Sequence, residues 1–199
     1  GFAGAPVIHG EHLLLNVGES GMVLSKTTGK LIWKHTAEMT IPLVAVSENT
    51  LYCLDGIFEG LFKDWARRGL VPKSDPVRYL KAFDLKTGTP KTRKHPITGK
   101  LVDWEFLRPG HSCGIITATP DNLFFRSFSG AIVNTKQDSG LQLFGGIRPG
   151  CWNSMIPANG LLSMQEASSG CTCSHSLKST VVLKNKPQKG HAEWAVFIS

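Results

Sequence analysis

The stretch "APVIHGEHLLLNVGESGMVLSKTTGKLIWK", from Ala5 to Lys34, contains short apolar runs that are separated by polar or glycine-containing turns. Asn, Asp and Gly favour such turns because they tolerate the left-handed backbone that short hairpins require. Val, Ile and Leu, which favour strands, fill the runs between the turns. The stretch therefore predicts one small antiparallel sheet with four strands.

The same order of strands and turns recurs three more times along the chain. The later repeats begin at Ile41, Gly114 and Asn153, and their first turns read "SEN", "TPDN" and "PANG". Four antiparallel strands repeated about every 40 residues are typical of β-propeller blades, which must stack because one blade cannot bury both of its faces. We therefore predict an all-β fold, a β-propeller of four-stranded antiparallel blades, with about four blades in this chain.

The repeats also set the expected domain organisation, a single propeller segment over residues 1–199. The predicted blades span about 3–36, 40–95, 101–147 and 150–186, and a C-terminal strand follows at 191–199. In the second repeat, the apolar residues from Phe58 to Trp65 have helical spacing, which predicts one short helical insertion at about 57–76. Four blades leave a ring open, so we expect a part of a larger protein that can self-associate through its strand edges.

The chain is basic, with 22 Lys and Arg residues against 15 Asp and Glu residues and a net charge of +7. The basic residues are scattered and lack interleaved aromatic residues, so nucleic acid is not an expected partner. A surface that binds polyanions or polysaccharides stays an alternative. No apolar run reaches the 18 or more residues of a membrane span, so none is expected.

Two motifs carry a resemblance to a known family. The segments "TTGKLIW", Thr27 to Trp33, and "AFDLKTG", Ala82 to Gly88, resemble the tryptophan-docking repeat of pyrroloquinoline-quinone-like propellers. Neither segment is complete, since Thr92 stands where the second repeat would have its Trp. The later motifs, including "RPGHSCG", "RPGCW" and "SSGCTCSHSLKSTVVL", resemble the C-terminal part of such propeller proteins from planctomycete-type bacteria.

The resemblance to quinoprotein alcohol dehydrogenase-like proteins implies the fold more than an activity. The dehydrogenases of that family have eight blades and bind the quinone with calcium at the axis, and many carry adjacent cysteines. This sequence has no Cys-Cys pair, so neither quinone nor another cofactor is expected. The resemblance implies a non-catalytic binding or scaffold module, with a protein or a small ligand as partner. A domain of a quinone-dependent or metal-dependent oxidoreductase is the alternative.

Catalytic motifs give little support for an enzyme. The sequence has no H-E-x-x-H motif and no G-x-x-x-x-G-K-[ST] loop, and its Asp and Glu residues are dispersed. Dispersed residues can still converge in space, so the enzyme alternative is weakened and not removed.

Three arginines and one tryptophan are the candidate ligand-binding residues. Arg108 and Arg148 each begin an Arg-Pro-Gly motif, 40 positions apart, and Arg126 lies in the strand "LFFRS". Near a propeller axis, such guanidinium groups can bind a carboxylate or phosphate through two parallel hydrogen bonds. Trp152 is expected to cap the channel. The alternative for the arginines is pairing with backbone carbonyls or acidic residues, and for Trp152 it is packing.

The stretch "GCTCSH", Gly170 to His175, places two cysteines and a histidine on the same side of an extended strand. Three interpretations stay open: a zinc site, a disulfide between neighbouring blades, or packing of reduced thiols. The candidates for the first two are Cys113, Cys151, Cys171, Cys173, His175 and His111. Paired cysteines would favour an extracytoplasmic location, periplasmic or secreted. Cys53, in the apolar run "TLYCL", is expected in the core.

Overall fold

A computed structural model describes ten segments of the chain: residues 5–17, 20–36, 44–56, 67–69, 78–108, 114–137, 140–150, 155–166, 179–184 and 195–198. The strands within these segments form four antiparallel sheets of four strands each and one two-stranded hairpin. The chain divides into two compact units, Gly1–Gly110 and His111–Ser199. Each unit contains two of the four-stranded sheets.

The first unit contains sheets 1 and 2 and the hairpin. Sheet 1 is a meander of β1 (Val7–His9), β2 (His12–Val17), β3 (Ser20–Ser25) and β4 (Leu31–Thr36). Sheet 2 pairs β5 (Val44–Ser47), β6 (Thr50–Gly56), β7 (Arg78–Asp84) and β10 (Glu105–Arg108) in that order. The hairpin consists of β8 (Thr92–Lys94) and β9 (Leu101–Asp103), which lie between β7 and β10 along the chain.

The second unit contains sheets 3 and 4, and both are simple meanders. Sheet 3 consists of β11 (Thr117–Ala118), β12 (Asn122–Ser127), β13 (Ser129–Asn134) and β14 (Leu141–Phe144). Sheet 4 consists of β15 (Met155–Ala158), β16 (Leu161–Met164), β17 (Val181–Lys184) and β18 (Ala195–Ile198).

The predicted all-β architecture is confirmed, since the described segments are built from antiparallel strands and their turns. The assignment of the four sheets to blades of one propeller, and the predicted blade boundaries, stay predictions. Of the predicted helical insertion at 57–76, only Arg67–Gly69 lie within the described residues. Among those residues, no helix has the length and apolar character needed to cross a membrane.

The turn after the third strand is closed in the same way in three sheets. Ser25, Asp84 and Asn134 are the last residues of β3, β7 and β13. A side-chain oxygen of each accepts a hydrogen bond from the backbone N–H three residues later, at 3.2, 3.0 and 2.8 Å respectively. Ser, Asp and Asn favour this local bond over a continued ladder, so each of them ends its strand at the turn.

Sheets 1 and 2 pack through one apolar layer. Its buried members are Leu14, Val23, Leu51, Cys53, Phe83 and Leu85, and Trp33 and Val46 pack against them. The indole of Trp33 is the largest side chain in this layer, and its ring lies 5.9 Å from the ring of Phe83. The indole N–H of Trp33 donates a hydrogen bond of 2.8 Å to the backbone carbonyl of Leu85. A residue of sheet 1 is therefore bonded to the turn that follows β7 of sheet 2.

The same indole lies directly against Gly88, which has a φ of 73°. A Cβ atom at Gly88 would stand 2.7 Å from Cδ2 of Trp33, well inside van der Waals contact. Glycine is required at position 88 for two reasons: the backbone is left-handed, and the ring of Trp33 occupies the space of a side chain. The segments "TTGKLIW" and "AFDLKTG" therefore meet in the structure, because Trp33 of the first packs against Gly88 of the second.

We predict that Gly88→Ala destabilises the first unit more than Gly29→Ala does. Gly29 occupies the matching turn position in sheet 1 and has a φ of 68°, but a Cβ there meets open space. Both variants incur the left-handed penalty of about 1–2 kcal/mol. Only Gly88→Ala must also displace the indole, at an additional cost of about 1–3 kcal/mol, which chemical denaturation measures.

A double-mutant cycle identifies the source of that difference. In a Trp33→Ala background the additional cost of Gly88→Ala is expected to disappear, because the ring that obstructs the Cβ is gone. An additional cost that persists without the indole would contradict the proposed contact.

Asp84 organises the turn that holds Gly88. Its Oδ1 accepts hydrogen bonds from the backbone N–H of Lys86 and of Thr87, both at 3.0 Å, and from the Thr87 hydroxyl at 3.1 Å. Its Oδ2 accepts a hydrogen bond of 2.6 Å from the side chain of Asn49. These bonds lower the pKa of Asp84 below its ordinary value of 3.8, and the hydrogen bond from the backbone N–H of Thr87 is the main cause.

We predict an acid-dependent contribution of Asp84 to stability. Because its pKa is lower in the folded state, ionised Asp84 stabilises the fold above pH 3.8, and this stabilisation is lost as the pH falls through the folded pKa. Asp84→Asn keeps an acceptor oxygen but has no charge. The difference in urea midpoint between wild type and Asp84→Asn should therefore be largest near pH 6 to 7 and shrink below about pH 3.8. A difference that does not change with pH would refute this role.

A candidate ligand pocket in the second unit

Sheets 3 and 4 pack through a second apolar layer. Its buried members are Phe124, Met155, Leu162, Met164, Val181 and Leu183, and Ile132, Phe144 and Ile147 pack against them. Gly130 lets the two sheets approach each other, because a Cβ there would stand 2.8 Å from the sulfur of Met164 and 3.2 Å from that of Met155. The layer is closed on the side of these two methionines.

At the other side of the layer, a pocket of about 330 Å³ opens between the same two sheets. It is lined by Thr119, Asn122, Phe124, Ile132, Phe144, Pro157, Ala158, Asn159, Gly160, Leu161, Leu162 and Leu183. The volume lies at the lower end of the range for small-molecule sites, about 300–1,000 Å³, and apolar walls with few polar groups are typical of such sites. We therefore treat this pocket as the candidate functional site.

The register of the strands relates this pocket to the Trp33 site of the first unit. In sheet 1, Leu14 pairs with Val23, and Val23 pairs with Trp33. In sheet 3, Phe124 pairs with Ile132, and Ile132 pairs with Gln142 at the corresponding positions. Gln142 therefore has the strand-pairing position of Trp33. A β-bulge lies beside Trp33 in the pairing of β3 with β4, so the residue at the same distance from the turn glycine is Phe144.

The opposing wall follows the same correspondence. In sheet 2, Leu51 pairs with Val46 on one side and with Phe83 on the other. In sheet 4, Leu162 pairs in the same way with Pro157 and with Leu183. Of the residues that contact the indole in the first unit, Phe83 thus corresponds to Leu183 in the pocket wall. The positions that correspond to Leu85 and Gly88 follow Lys184 and lie outside the described residues.

The side chain of Gln142 is exposed and is not among the described lining residues of the pocket. Phe144, two residues further along β14, lies on the same face of sheet 3, packs against the apolar layer and lines the pocket. An aromatic ring from the fourth strand therefore packs at this junction as well, and the pocket opens beside it.

Polar groups are confined to the turns at one end of the pocket. The hydroxyl of Thr119 and the backbone of Asn122 exchange two hydrogen bonds of 3.2 Å. The side-chain carbonyl of Asn122 also accepts a hydrogen bond of 3.3 Å from the amide of Asn134. These contacts hold the Asn122 side chain in place beside the apolar walls. Asn159, with a φ of 51°, forms the exposed turn on the facing sheet.

The predicted ligand-binding arginines lie elsewhere. Arg126, in β12, is 1% exposed, and Arg148, which follows β14, is 5% exposed. Burial of a charged group is costly unless neighbouring groups interact with it, and both residues make interactions within the chain. Arg108 is the last residue of β10, and its side chain lies outside the described residues, as does Trp152. The predicted role of these residues in binding stays a prediction.

The cysteine and histidine candidates all lie outside the described segments. They are Cys113, Cys151, Cys171, Cys173, His175 and His111. The three interpretations of this set, zinc site, disulfide or packing, therefore stay open. Within the segments that the structure describes, no group of three or more potential metal ligands occurs. Cys53 is fully buried in the apolar layer of the first unit, as expected.

One short motif requires a separate assessment. No G-x-S-x-G nucleophile elbow is expected from the sequence, although the segment "GHSCG", Gly110 to Gly114, matches that pattern of serine hydrolases. In those enzymes the motif joins a strand to a helix. Here strand β10 precedes the motif and strand β11 follows it. The described surroundings therefore do not have the structural context of a nucleophile elbow.

Comparison with known proteins adds no assignment: no protein-family model matches the chain, and no curated protein matches it. The geometry of the molecule is therefore the basis of the functional inference. Sequence reasoning did not identify the pocket, because a cavity depends on how two sheets pack. Counted from the turn glycines Gly29 and Gly140, the residue of the third sheet at the position of Trp33 is Phe144.

We predict that two adjacent leucines of β16 differ sharply in their contribution to stability. Leu162 is 6% exposed and belongs to the apolar layer, whereas Leu161 is 39% exposed on the opposite face of the strand. Leu162→Ala should cost about 2–5 kcal/mol of unfolding free energy, measured by urea denaturation. Leu161→Ala should change it by no more than about 0.5 kcal/mol. Equal costs would indicate a different register for β16.

Proposed function

We propose that this chain is a segment of a β-propeller that acts as a non-catalytic binding module, with the pocket between sheets 3 and 4 as its ligand site. The observation that carries the proposal is the pocket itself, which has a volume of about 330 Å³, apolar walls and three polar side chains, those of Thr119, Asn122 and Asn159. Apolar walls with a few polar groups are typical of sites that bind small molecules.

The contact of Trp33 with Gly88 supports the propeller part of the proposal. It joins two consecutive four-stranded meanders, and its residues match the tryptophan-docking repeat on which the resemblance rests. The propeller reading also accounts for sheets whose central strands are buried on both faces. In sheet 3, for example, neighbouring residues Leu123, Phe124 and Phe125 are all buried.

The main alternative is a domain of a quinone-dependent or metal-dependent oxidoreductase. Its support is the family resemblance and the set of cysteines and histidines outside the described segments. Against it stands the composition of the pocket, because no charged residue occurs among its described lining residues. Such walls suit the binding of a neutral molecule better than proton transfer or metal coordination.

The second alternative, a surface that binds polyanions or polysaccharides, rests on the net charge of +7. Two of the described basic residues are paired with acidic neighbours, Lys26 with Glu11 and Lys136 with Asp121. These pairs lie at turns of sheets 1 and 3. They reduce the positive charge that those turns can offer to a polyanion.

We predict that the purified protein contains neither a quinone nor a stoichiometric metal and does not reduce an electron-accepting dye. The assay adds pyrroloquinoline quinone, calcium and a panel of alcohols and sugars to the protein, with a quinoprotein dehydrogenase as positive control. Absorbance spectroscopy and elemental analysis report the cofactor content. Dye reduction that depends on both the quinone and the protein would overturn the non-catalytic assignment.

The same preparation separates the polyanion alternative. Retention on heparin is expected to be weak and to vanish at moderate salt, as for any basic protein. Tight retention, with a steep dependence of the association constant on salt concentration, would favour the polyanion surface instead.

A further inference from the structure

We propose that the outward face of sheet 1 binds the outward face of sheet 4 of a second copy of this chain, in a head-to-tail contact. The outward face of sheet 1 is the one turned away from sheet 2, and that of sheet 4 is the one turned away from sheet 3. The inference goes beyond the proposed binding function and does not depend on the pocket. It also specifies the self-association expected from the sequence, because it assigns the contact to two sheet faces rather than to strand edges.

The first argument is a set of apolar positions that the four sheets share. The second and fourth residues of the second strand are apolar in every sheet: Leu13 and Leu15 in β2, Leu51 and Cys53 in β6, Leu123 and Phe125 in β12, and Leu162 and Met164 in β16. In sheets 2, 3 and 4 all six of these side chains are buried, with exposed fractions between 0 and 6%. In sheet 1 both leucines are only half-buried. Sheet 1 therefore carries core-type side chains on a face that one copy of the chain covers incompletely.

The second argument is the direction in which these side chains point. Successive side chains of a strand point to opposite faces of its sheet. Leu14 belongs to the layer between sheets 1 and 2, so its neighbours Leu13 and Leu15 lie on the outward face. In sheets 2 and 4 the corresponding positions belong to the layer shared with the preceding sheet. The outward face of sheet 1 thus has the composition of a face that accepts another sheet.

A row of paired apolar residues crosses this outward face from edge to edge. Ile8 pairs with Leu13, and Leu13 pairs with Leu24. Leu24 pairs in turn with Leu31 on the last strand. Ile8 is 66% exposed and Leu31 is 53% exposed, although both belong to the same row as half-buried leucines. Contiguous exposed apolar surface of this kind marks interaction sites.

The third argument identifies the occupant. In the first unit, the paired residues Leu14 and Val23 of sheet 1 cover the accepting face of sheet 2. By their position in the strands, the counterparts in sheet 4 are Ser163 and Val182, which also pair, and Ile156 extends this row onto β15. Ile156 is 45% exposed, and the other two are half-buried. Sheet 4 thus has an uncharged row of the covering kind on its outward face.

Each copy therefore has one accepting face and one covering face that stay exposed. Sheet 4 of a second copy can cover sheet 1 in the same order in which sheet 1 covers sheet 2 within the chain. Removing Ile8, Leu31 and Ile156 from water provides the driving force for this contact. A head-to-tail contact joins copies into a ring where the rotation between them closes.

Sedimentation equilibrium tests the proposal. The weight-average mass of wild type should rise with concentration above the mass of one chain. Ile8→Lys on the accepting face and Ile156→Lys on the covering face should each raise the dissociation constant by more than about tenfold, because the contact would desolvate the ammonium group. Ile97→Lys is the matched control: it makes the same substitution at a residue that is 88% exposed in the turn between β8 and β9, and it should associate like wild type. Wild type that stays monomeric at every concentration would overturn the assignment of a second copy in favour of a different polypeptide.

A mixture of the two variants tests the head-to-tail geometry. The Ile8→Lys copy keeps an intact sheet 4, and the Ile156→Lys copy keeps an intact sheet 1. An equimolar mixture should therefore form 1:1 pairs and nothing larger, although each variant alone stays monomeric. A mixture without pairs would overturn the proposal. Undiminished association of Ile156→Lys alone would also overturn it, because the contact would then join two copies of sheet 1.

A further measurement does not depend on the folding of a variant. In methyl NMR spectra of wild type, dilution should shift the signals of Leu13 and Val182, which lie on the two outward faces. The signals of Val23 and Leu183 should not shift, because these residues are buried in the layers within each unit. Signals of Leu13 or Val182 that do not depend on concentration would contradict the contact.

Ionic strength separates an apolar contact from an ionic one. Each copy carries a net charge of +7, so two copies repel each other. Added sodium chloride screens this repulsion and should strengthen the association of wild type. Association that weakens with salt would indicate ion pairs and would overturn the apolar interface.

Failure of this inference is distinct from failure of the proposed function. Neither Ile8 nor Ile156 is among the described lining residues of the pocket. Absence of association would reject the interface and leave the binding function as proposed. Dye reduction that depends on the quinone would reject the non-catalytic assignment and leave the interface.

Discussion

The packing of the Trp33 indole against Gly88 is the contact on which the arrangement of sheets 1 and 2 depends. The ring comes from β4 of sheet 1, and the glycine comes from the turn after β7 of sheet 2. A hydrogen bond to the carbonyl of Leu85 fixes the orientation of the ring. The bonds of Asp84 within that turn hold the glycine where the ring needs it. One cross-sheet contact thus links local turn chemistry to the packing of two layers.

The second unit also consists of two packed four-stranded sheets, but different side chains fill the layer between them. Met155 and Met164 fill one side of the layer against Gly130, and their unbranched side chains adapt readily to an irregular space. Phe144 of β14 packs against the same layer, and the pocket opens beside it between the two sheets. The two pairs of sheets therefore differ in how completely the described side chains fill the space between them.

Burial of polar groups also distinguishes the two units. Arg126, Ser127, Ser129 and Arg148 are buried in the second unit, whereas Ser47 is the buried polar residue among those described in the first. Buried guanidinium groups are costly to desolvate, so they contribute to stability only through the groups that engage them. Neither arginine is among the described lining residues of the pocket, and none of those residues is charged. A role for Arg126 and Arg148 in holding the fold is consistent with this placement.

The amino-acid sequence alone determined the all-β fold and the turn chemistry. These features depend on local preferences, such as strand propensity and the turn residues Ser25, Asp84 and Asn134, which are visible along the chain. The motif fragments around Trp33 and Gly88 were also recognised, but as two incomplete copies. Only the tertiary structure showed that they meet, because the packing of sheet 1 against sheet 2 brings together residues far apart in sequence. The pocket likewise required the structure, because a cavity is set by the distance between two packed layers and by how their side chains meet, which no local pattern along the chain specifies.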